Sequence, residues 1–202
     1  MKLWSMPSSG NSYKVRLLLA KLRLSFEHVA AEQGSGVTQA AEFRRLNPKG
    51  KVPLLALDDG RLLSESNAIL LYLADGTRFL PADAFERARV AAWMFWEQNA
   101  HETTIAVRAG HLVYDRPARH DPAVMAALLQ AGHDALAVME EQLARTPFLA
   151  GDTPSVADLC LYAYTHSAEE KGGFELPRFP AVKAWLARVE ADDGHVPLDW
   201  LP

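Results

Sequence analysis

Cysteine is almost missing from this chain of 202 residues: Cys160 stands alone. One thiol cannot close an intrachain disulfide, and with no Cys-x-x-Cys pair a dithiol redox mechanism is excluded. So little cysteine fits a reducing compartment, and a cytoplasmic location is the expectation. An excess of one charge sign is lacking too. Lys and Arg number 21 against 25 Asp and Glu, a net charge of -4. Nucleic-acid phosphates call for a concentrated basic face, so nucleic acid is not an expected partner. Apolar runs such as Val90 to Trp96 fall far short of the ~20 residues that span a bilayer. Met1 to Pro7 has no long apolar stretch after Lys2, which argues against a signal peptide. No membrane partner is expected. His101-Glu102 lacks the second histidine of a His-Glu-x-x-His zinc motif, so no metal is expected. Gly34 and Gly36 lack the third glycine of a dinucleotide loop. Neither a phosphate-binding P-loop nor a Gly-x-Ser-x-Gly elbow occurs.

What is present is ordinary globular material. The chain is 49% apolar and 23% charged, enough for a packed core without staples. Lys2 to Met6 alternates and stops at Pro7, predicting a strand. Val15, Leu18, Leu19 and Leu22 recur at helical spacing, predicting a helix from about Ser12 to Leu24. Phe26 to Ala30 reads as a second strand, and Thr38 to Leu46 as a short helix ending before Asn47-Pro48. Val52 to Leu57 and Arg61 to Ser64 form a hairpin about Asp58-Asp59-Gly60. A helix with Ile69, Leu70 and Leu73 on one face follows. The order β-α-β-α-β-β-α is that of a thioredoxin-type α/β layer. After a break from Gly76 to Pro81 everything reads as helix: Phe85 to Leu112, Ala123 to Leu143, Ser155 to Glu170, Ala181 to Ala191. Two domains are expected, 1–76 and 84–202.

Three segments could carry chemistry. Ser9, in Pro7-Ser8-Ser9-Gly10-Asn11-Ser12-Tyr13, lies between the first strand and first helix. A helix N-terminus offers unpaired N–H groups and partial positive charge, which stabilise a thiolate, and a serine hydroxyl adds a donor. Simple capping by Ser8, Ser9 or Ser12 is the plainer reading of the segment taken alone. In Asn47-Pro48-Lys49-Gly50-Lys51-Val52-Pro53, a cis bond before Pro53 would let Val52 present its N–H and C=O to a peptide ligand as an added strand; a turn into an edge strand is the simpler alternative. In Ser64-Glu65-Ser66-Asn67, Ser66 at a helix start suits a carboxylate and Glu65 an ammonium, together an α-amino acid head group; capping by Ser64 is the alternative.

These three segments, in this order and with these gaps, resemble the soluble glutathione transferases. Phe148 to Asp158 is similar to that family's Gly-Asp loop and N-cap motif, with Ser155 and Asp158 as a capping-box variant of structural importance. The resemblance implies a glutathione-binding thioredoxin-like domain followed by an all-α domain that shapes the pocket for an apolar electrophile. It places Ser9 as the catalytic serine, as in theta- and zeta-like members, and Val52 as the backbone anchor of the cysteinyl unit. Glu65 and Ser66 take the γ-glutamyl end, and Lys51 or Lys49 the glycine carboxylate. Asn11 and Pro53 complete the implied glutathione site. The implied activity is glutathione S-transferase; another glutathione-dependent enzyme (isomerase, peroxidase or disulfide reductase) and a non-catalytic relative stay open, and Ser9-Gly10-Asn11 departs from the zeta-like Ser-Ser-Cys. A homodimer is also implied. Tyr13 is expected to face away from the site. Trp93, Met94, Phe95 and Trp96 read as core, with a pocket wall or subunit interface as alternatives. Cys160 reads as a buried, inert thiol.

Overall fold

The computed structural model describes residues 1–202, which divide into two compact units: residues 1–75 with 192–202, and residues 76–191. In the first unit, β1 (Lys2–Ser5), α1 (Gly10–Lys21), β2 (Glu27–Ala30), α2 (Ala41–Leu46), β3 (Leu54–Ala56), β4 (Leu62–Ser64) and α3 (Ser66–Ala74) follow in that order. The four strands form one sheet, β2-β1-β3-β4. β1 runs parallel to β2, with Leu3 opposite His28, and antiparallel to β3, with Leu3 opposite Leu55. The β3–β4 hairpin turns at Gly60, whose φ of 84° favours glycine, as Asp58-Asp59-Gly60 predicts. The sheet is mixed, with helices packed on it, which is the α/β layer expected from the order of elements.

α1 buries more than its apolar stripe requires. Val15, Leu17, Leu18 and Leu19 are fully covered, but so are Lys14 and Arg16. A helix enclosed all round must find partners for its charges. One source of them is the end of the chain. The Tyr13 hydroxyl donates to the Val196 carbonyl at 2.7 Å, Arg16 to Leu198 O, and Lys21 pairs with Asp192 at 2.8 Å. Phe26 meets Trp200 edge-on. The helical unit therefore ends at Ala191, and residues 192–202 belong with the first unit rather than running on in the second as the sequence reading had it.

The second unit contains α4 (Ala84–Trp96), a π-helical stretch (Glu97–Ala106), α5 (Val107–Val113), α6 (Pro122–Leu143), α7 (Val156–Thr165), α8 (Ala168–Gly172) and α9 (Pro180–Ala191). The single helix expected over Phe85 to Leu112 is thus interrupted. Side chains intrude on its ladder: Asn99 donates to Phe95 O, Thr103 to Asn99 O and Thr104 to Ala100 O, each one turn back. Such bonds compete with the regular i to i−4 pattern. Of the aromatic-rich run, Met94 is core, while Phe95 is 67% exposed. α6, 22 residues long, is by length and composition long and apolar enough to cross a membrane, which a search for unbroken apolar runs overlooks. It buries Gly132, Leu136, Met139 and Leu143. Cys160 is buried, and its thiol donates to the Glu97 carboxylate at 3.2 Å.

At the start of α7, Ser155 and Asp158 form the capping box anticipated from their spacing. Asp158 is fully buried and accepts from Ser155 N at 2.8 Å, Ser155 Oγ at 3.0 Å, Leu149 N at 2.9 Å and Trp185 Nε1 at 2.9 Å. Burial pushes its carboxyl up, and the four donors pull it back down.

Candidate functional site

Ser9 is the N-cap of α1. Its extended backbone (φ −85°, ψ 126°) lets Oγ accept from Ser12 N at 3.3 Å. The oxygen is used as an acceptor, so the O–H remains to donate outward. No acidic residue stands in the first turn of α1 to neutralise the positive end of its dipole. The residue therefore both caps and presents a hydroxyl at a helix tip, and the two sequence readings of it are compatible.

α3 begins differently. Glu65 fills its N-cap position with no side-chain cap, at φ 73° and ψ 114°. Such a conformation in a residue with a Cβ costs about 1–3 kcal/mol and persists where the surroundings impose it. Ser64 does not cap the helix, contrary to the bland expectation for it. The first-turn N–H groups of α3 consequently have no side-chain acceptor at the cap, and Ser66 Oγ donates to Asn11 Oδ1 at 2.9 Å. That bond ties the beginnings of α1 and α3 together, bringing Ser9, Asn11, Glu65 and Ser66 into one locality. Behind them, Lys14 Nζ donates to Asn67 Oδ1 at 3.1 Å.

The 47–53 loop is built on Asn47, which is 4% exposed. Its amide donates to Lys51 O at 2.7 Å, its Oδ1 accepts from Lys49 N at 3.3 Å, and its carbonyl accepts from Gly50 N at 2.9 Å. Gly50 sits at φ 61° with the Arg44 guanidinium where a Cβ would lie. Lys49 contacts the Glu65 carboxylate, joining this loop to the start of α3. Lys51 is exposed, Pro53 is buried, and the Val52–Pro53 bond is cis. The N–H and C=O of Val52 enter no hydrogen bond of the chain and stay available. Tyr13 turns its ring into the core and commits its hydroxyl to Val196, so it presents nothing at the α1 tip.

Sequence reasoning overlooked Arg16 and His28, and named Asn47 only as part of its segment. A charged residue between Val15 and Leu17 was the available signal for the first. Burial pulls the Arg16 guanidinium down to about 10, still protonated at neutral pH. His28 Nε2 lies 2.8 Å from Ser5 Oγ, and burial, then the Arg16 charge, hold its imidazole below the usual 6.5. The sign of the consequence is definite. Between those two values the unfolded chain binds more protons, so the stability His28 contributes is present above 6.5 and lost as pH falls through its folded value. The urea midpoint is expected to drop from about pH 7 to about pH 5, less steeply in His28→Gln; parallel slopes would clear His28 of a part.

Residues 1–75 match the family model for the glutathione S-transferase N-terminal domain, and residues 103–193 that for the C-terminal domain. Glutathione S-transferase GstB of Escherichia coli (strain K12) is 32% identical over 195 residues, 93% of this chain and 91% of that protein. Disulfide-bond oxidoreductase YfcG of the same organism is 29% identical over 188 residues, 90% of this chain and 86% of that protein. The crystal structure of a glutathione S-transferase from Pseudomonas fluorescens superposes with a TM-score of 0.93 at 45% identity, covering 98% of each chain. With the two family models together matching most of its length and a relative 32% identical over 93% of it, the chain belongs to the glutathione S-transferase family.

Proposed function

We propose that this protein is a glutathione S-transferase in which the first unit binds glutathione and ionises its thiol. The observation that carries the reading is the Asn11–Ser66 bond at 2.9 Å, which joins two helix tips directly beside the left-handed Glu65. Glutathione is an extended tripeptide with an amino-acid head, a central thiol and a terminal carboxylate. The start of α3 suits the head: Ser66 N–H for its carboxylate, joined by the Ser66 Oγ–H when it turns from Asn11 Oδ1 to the ligand, and Glu65 for its ammonium. Val52 supplies a free N–H and C=O for the cysteinyl backbone, with Pro53 fixing the strand entry. Lys51, exposed beside Val52, takes the glycine carboxylate, and Lys49 shares the Glu65 carboxylate with the ammonium. Ser9 Oγ donates to the sulfur at the α1 tip, aided by Asn11 and the helix dipole. The thiol proton leaves to solvent. The thiolate then forms a carbon–sulfur bond with an apolar electrophile, whose leaving group departs with the bonding electrons. Ser9 accelerates the reaction by raising the thiolate fraction and holding it in place.

Titration calorimetry with reduced glutathione tests this. Binding by the native protein is expected, with Kd rising about tenfold in Ser66→Ala, the loss of one hydrogen bond to a charged group. No heat at millimolar glutathione would sink the reading. The 29% identity to YfcG favours, as a second reading, glutathione-dependent reduction of small disulfides at the same Ser9; turnover of a disulfide in preference to chlorinated nitroaromatics would select it. A cytoplasmic homodimer completes the proposal, supported by the single buried cysteine and by Phe85 and Phe95, 71% and 67% exposed on α4. A monomeric mass by light scattering would contradict the dimer.

A further inference from the structure

We infer that Arg16 is the positioning residue of the thiolate site, locking the turn that carries Ser9 and supplying a fixed positive charge behind it. This rests on the reading that places the glutathione sulfur at Ser9. Arg16 is 0% exposed, and everything it donates to is neutral: Ser5 Oγ at 3.0 Å, Met6 O at 3.2 Å, Pro7 O at 2.8 Å and Leu198 O at 2.5 Å. Its Nε is buried with no acceptor at all. The comparison within the same helix is Lys21, equally covered, which has the Asp192 carboxylate at 2.8 Å. A buried cation without a counter-ion is costly, and a fold that only needed an anchor for the chain end has the Lys21 solution at hand. What Arg16 holds is specific. Met6 O accepts from Arg16 Nη1 and also from Ser9 N at 3.1 Å, so one oxygen couples the guanidinium to the Ser9 backbone. Pro7 O, the next carbonyl, takes Nη2. The residues between β1 and the tip of α1 are thereby pinned from inside.

The charge has few competitors. The ionisable groups facing it are Tyr13 on its own helix, Glu32 after β2, Asp199 in the terminal segment, and His28 on β2 across Ser5, whose depressed imidazole adds no negative charge. None forms an ion pair with Arg16 within 4 Å, so its field is left for an anion at the α1 tip. The thiolate of the bound tripeptide is that anion.

The test is the ultraviolet thiolate absorbance of the glutathione-saturated protein, followed against pH, with kcat and KM at each pH. In the native protein the bound thiol is expected to titrate below the ~8.5 of a free thiol. Arg16→Met is expected to raise that value by about one unit and lower kcat at neutral pH about tenfold, converging with the native rate at alkaline pH, while KM for glutathione changes little. Arg16→Lys keeps the charge and loses the fork, so its thiol should titrate near the native value although its thermal midpoint falls. A folded Arg16→Met with a native titration curve overturns the inference alone. If that variant does not fold, Arg16→Gln repeats the measurement with a donor kept and the charge removed, and Arg16→Lys titrating as far upward as an uncharged variant overturns the charge role. No thiolate band in the native protein overturns this inference and the Ser9 reading together.

Discussion

Replacing Asp158 by alanine is expected to lower the unfolding free energy by about 3–5 kcal/mol, read as a shift of the urea midpoint at unchanged slope. The reason is the number of buried donors that would lose their acceptor. Leu149 N–H, Ser155 N–H and the Trp185 indole each reach Asp158 at 2.8–2.9 Å, and all are buried. These bonds join three parts of the helical unit: the loop before α7, the first turn of α7 and the middle of α9. Against the 5–15 kcal/mol that holds most domains together, the loss is a large fraction. Asp158→Asn should recover part of it, because its amide oxygen can still accept from two donors. Its NH2 would then confront Ser155 N–H, so recovery cannot be complete. A change below about 1 kcal/mol in Asp158→Ala would mean that the network is dispensable.

Ser9→Ala is expected to reduce kcat/KM for glutathione conjugation by about 100-fold, the scale for removing one donor from a developing or resident anion. KM for glutathione should hardly move, since in the proposed binding mode the tripeptide's head and backbone are held by other residues. The helix loses its cap as well, at about 1 kcal/mol of stability. Ser9→Asp separates the two roles. Aspartate caps as well as serine, so the fold is kept, but it sets a negative charge where the thiolate must sit. Its activity should fall below that of Ser9→Ala while its stability exceeds it. A pH–rate profile unchanged in Ser9→Ala would remove the hydroxyl from the mechanism.

How much of this could be read before the structure depended on the range of the interaction. The order of strands and helices, the Gly60 hairpin and the Ser155–Asp158 box rest on contacts between near neighbours, and local patterns encode those. The same holds for the three segments around Ser9, Val52 and Ser66, each a turn or helix start with its own residue chemistry. The Asn11–Ser66 bond joins residues 55 apart, and no periodicity announces it. Arg16 escaped because three of its four partners are backbone carbonyls, which look alike at every position. The π-helical stretch from Glu97 escaped because Asn99, Thr103 and Thr104 read as tolerable helix residues, and only their carbonyl bonds disclose the competition. Glu65 is the instructive case. Its type pointed to an ammonium partner, but nothing in its neighbours foretold a left-handed backbone.

The clamp of residues 192–202 on α1 bears on how the protein is made. Tyr13, Arg16 and Lys21 are translated early, yet Val196, Leu198 and Asp192 emerge only after the whole helical unit. Domains commonly fold one after another as the nascent chain lengthens. Here the half translated first must wait, its buried arginine one acceptor short, until the half translated second has left the ribosome. A gene fragment that stops at the apparent boundary would therefore encode an unfinished first unit, however well its own sheet is formed.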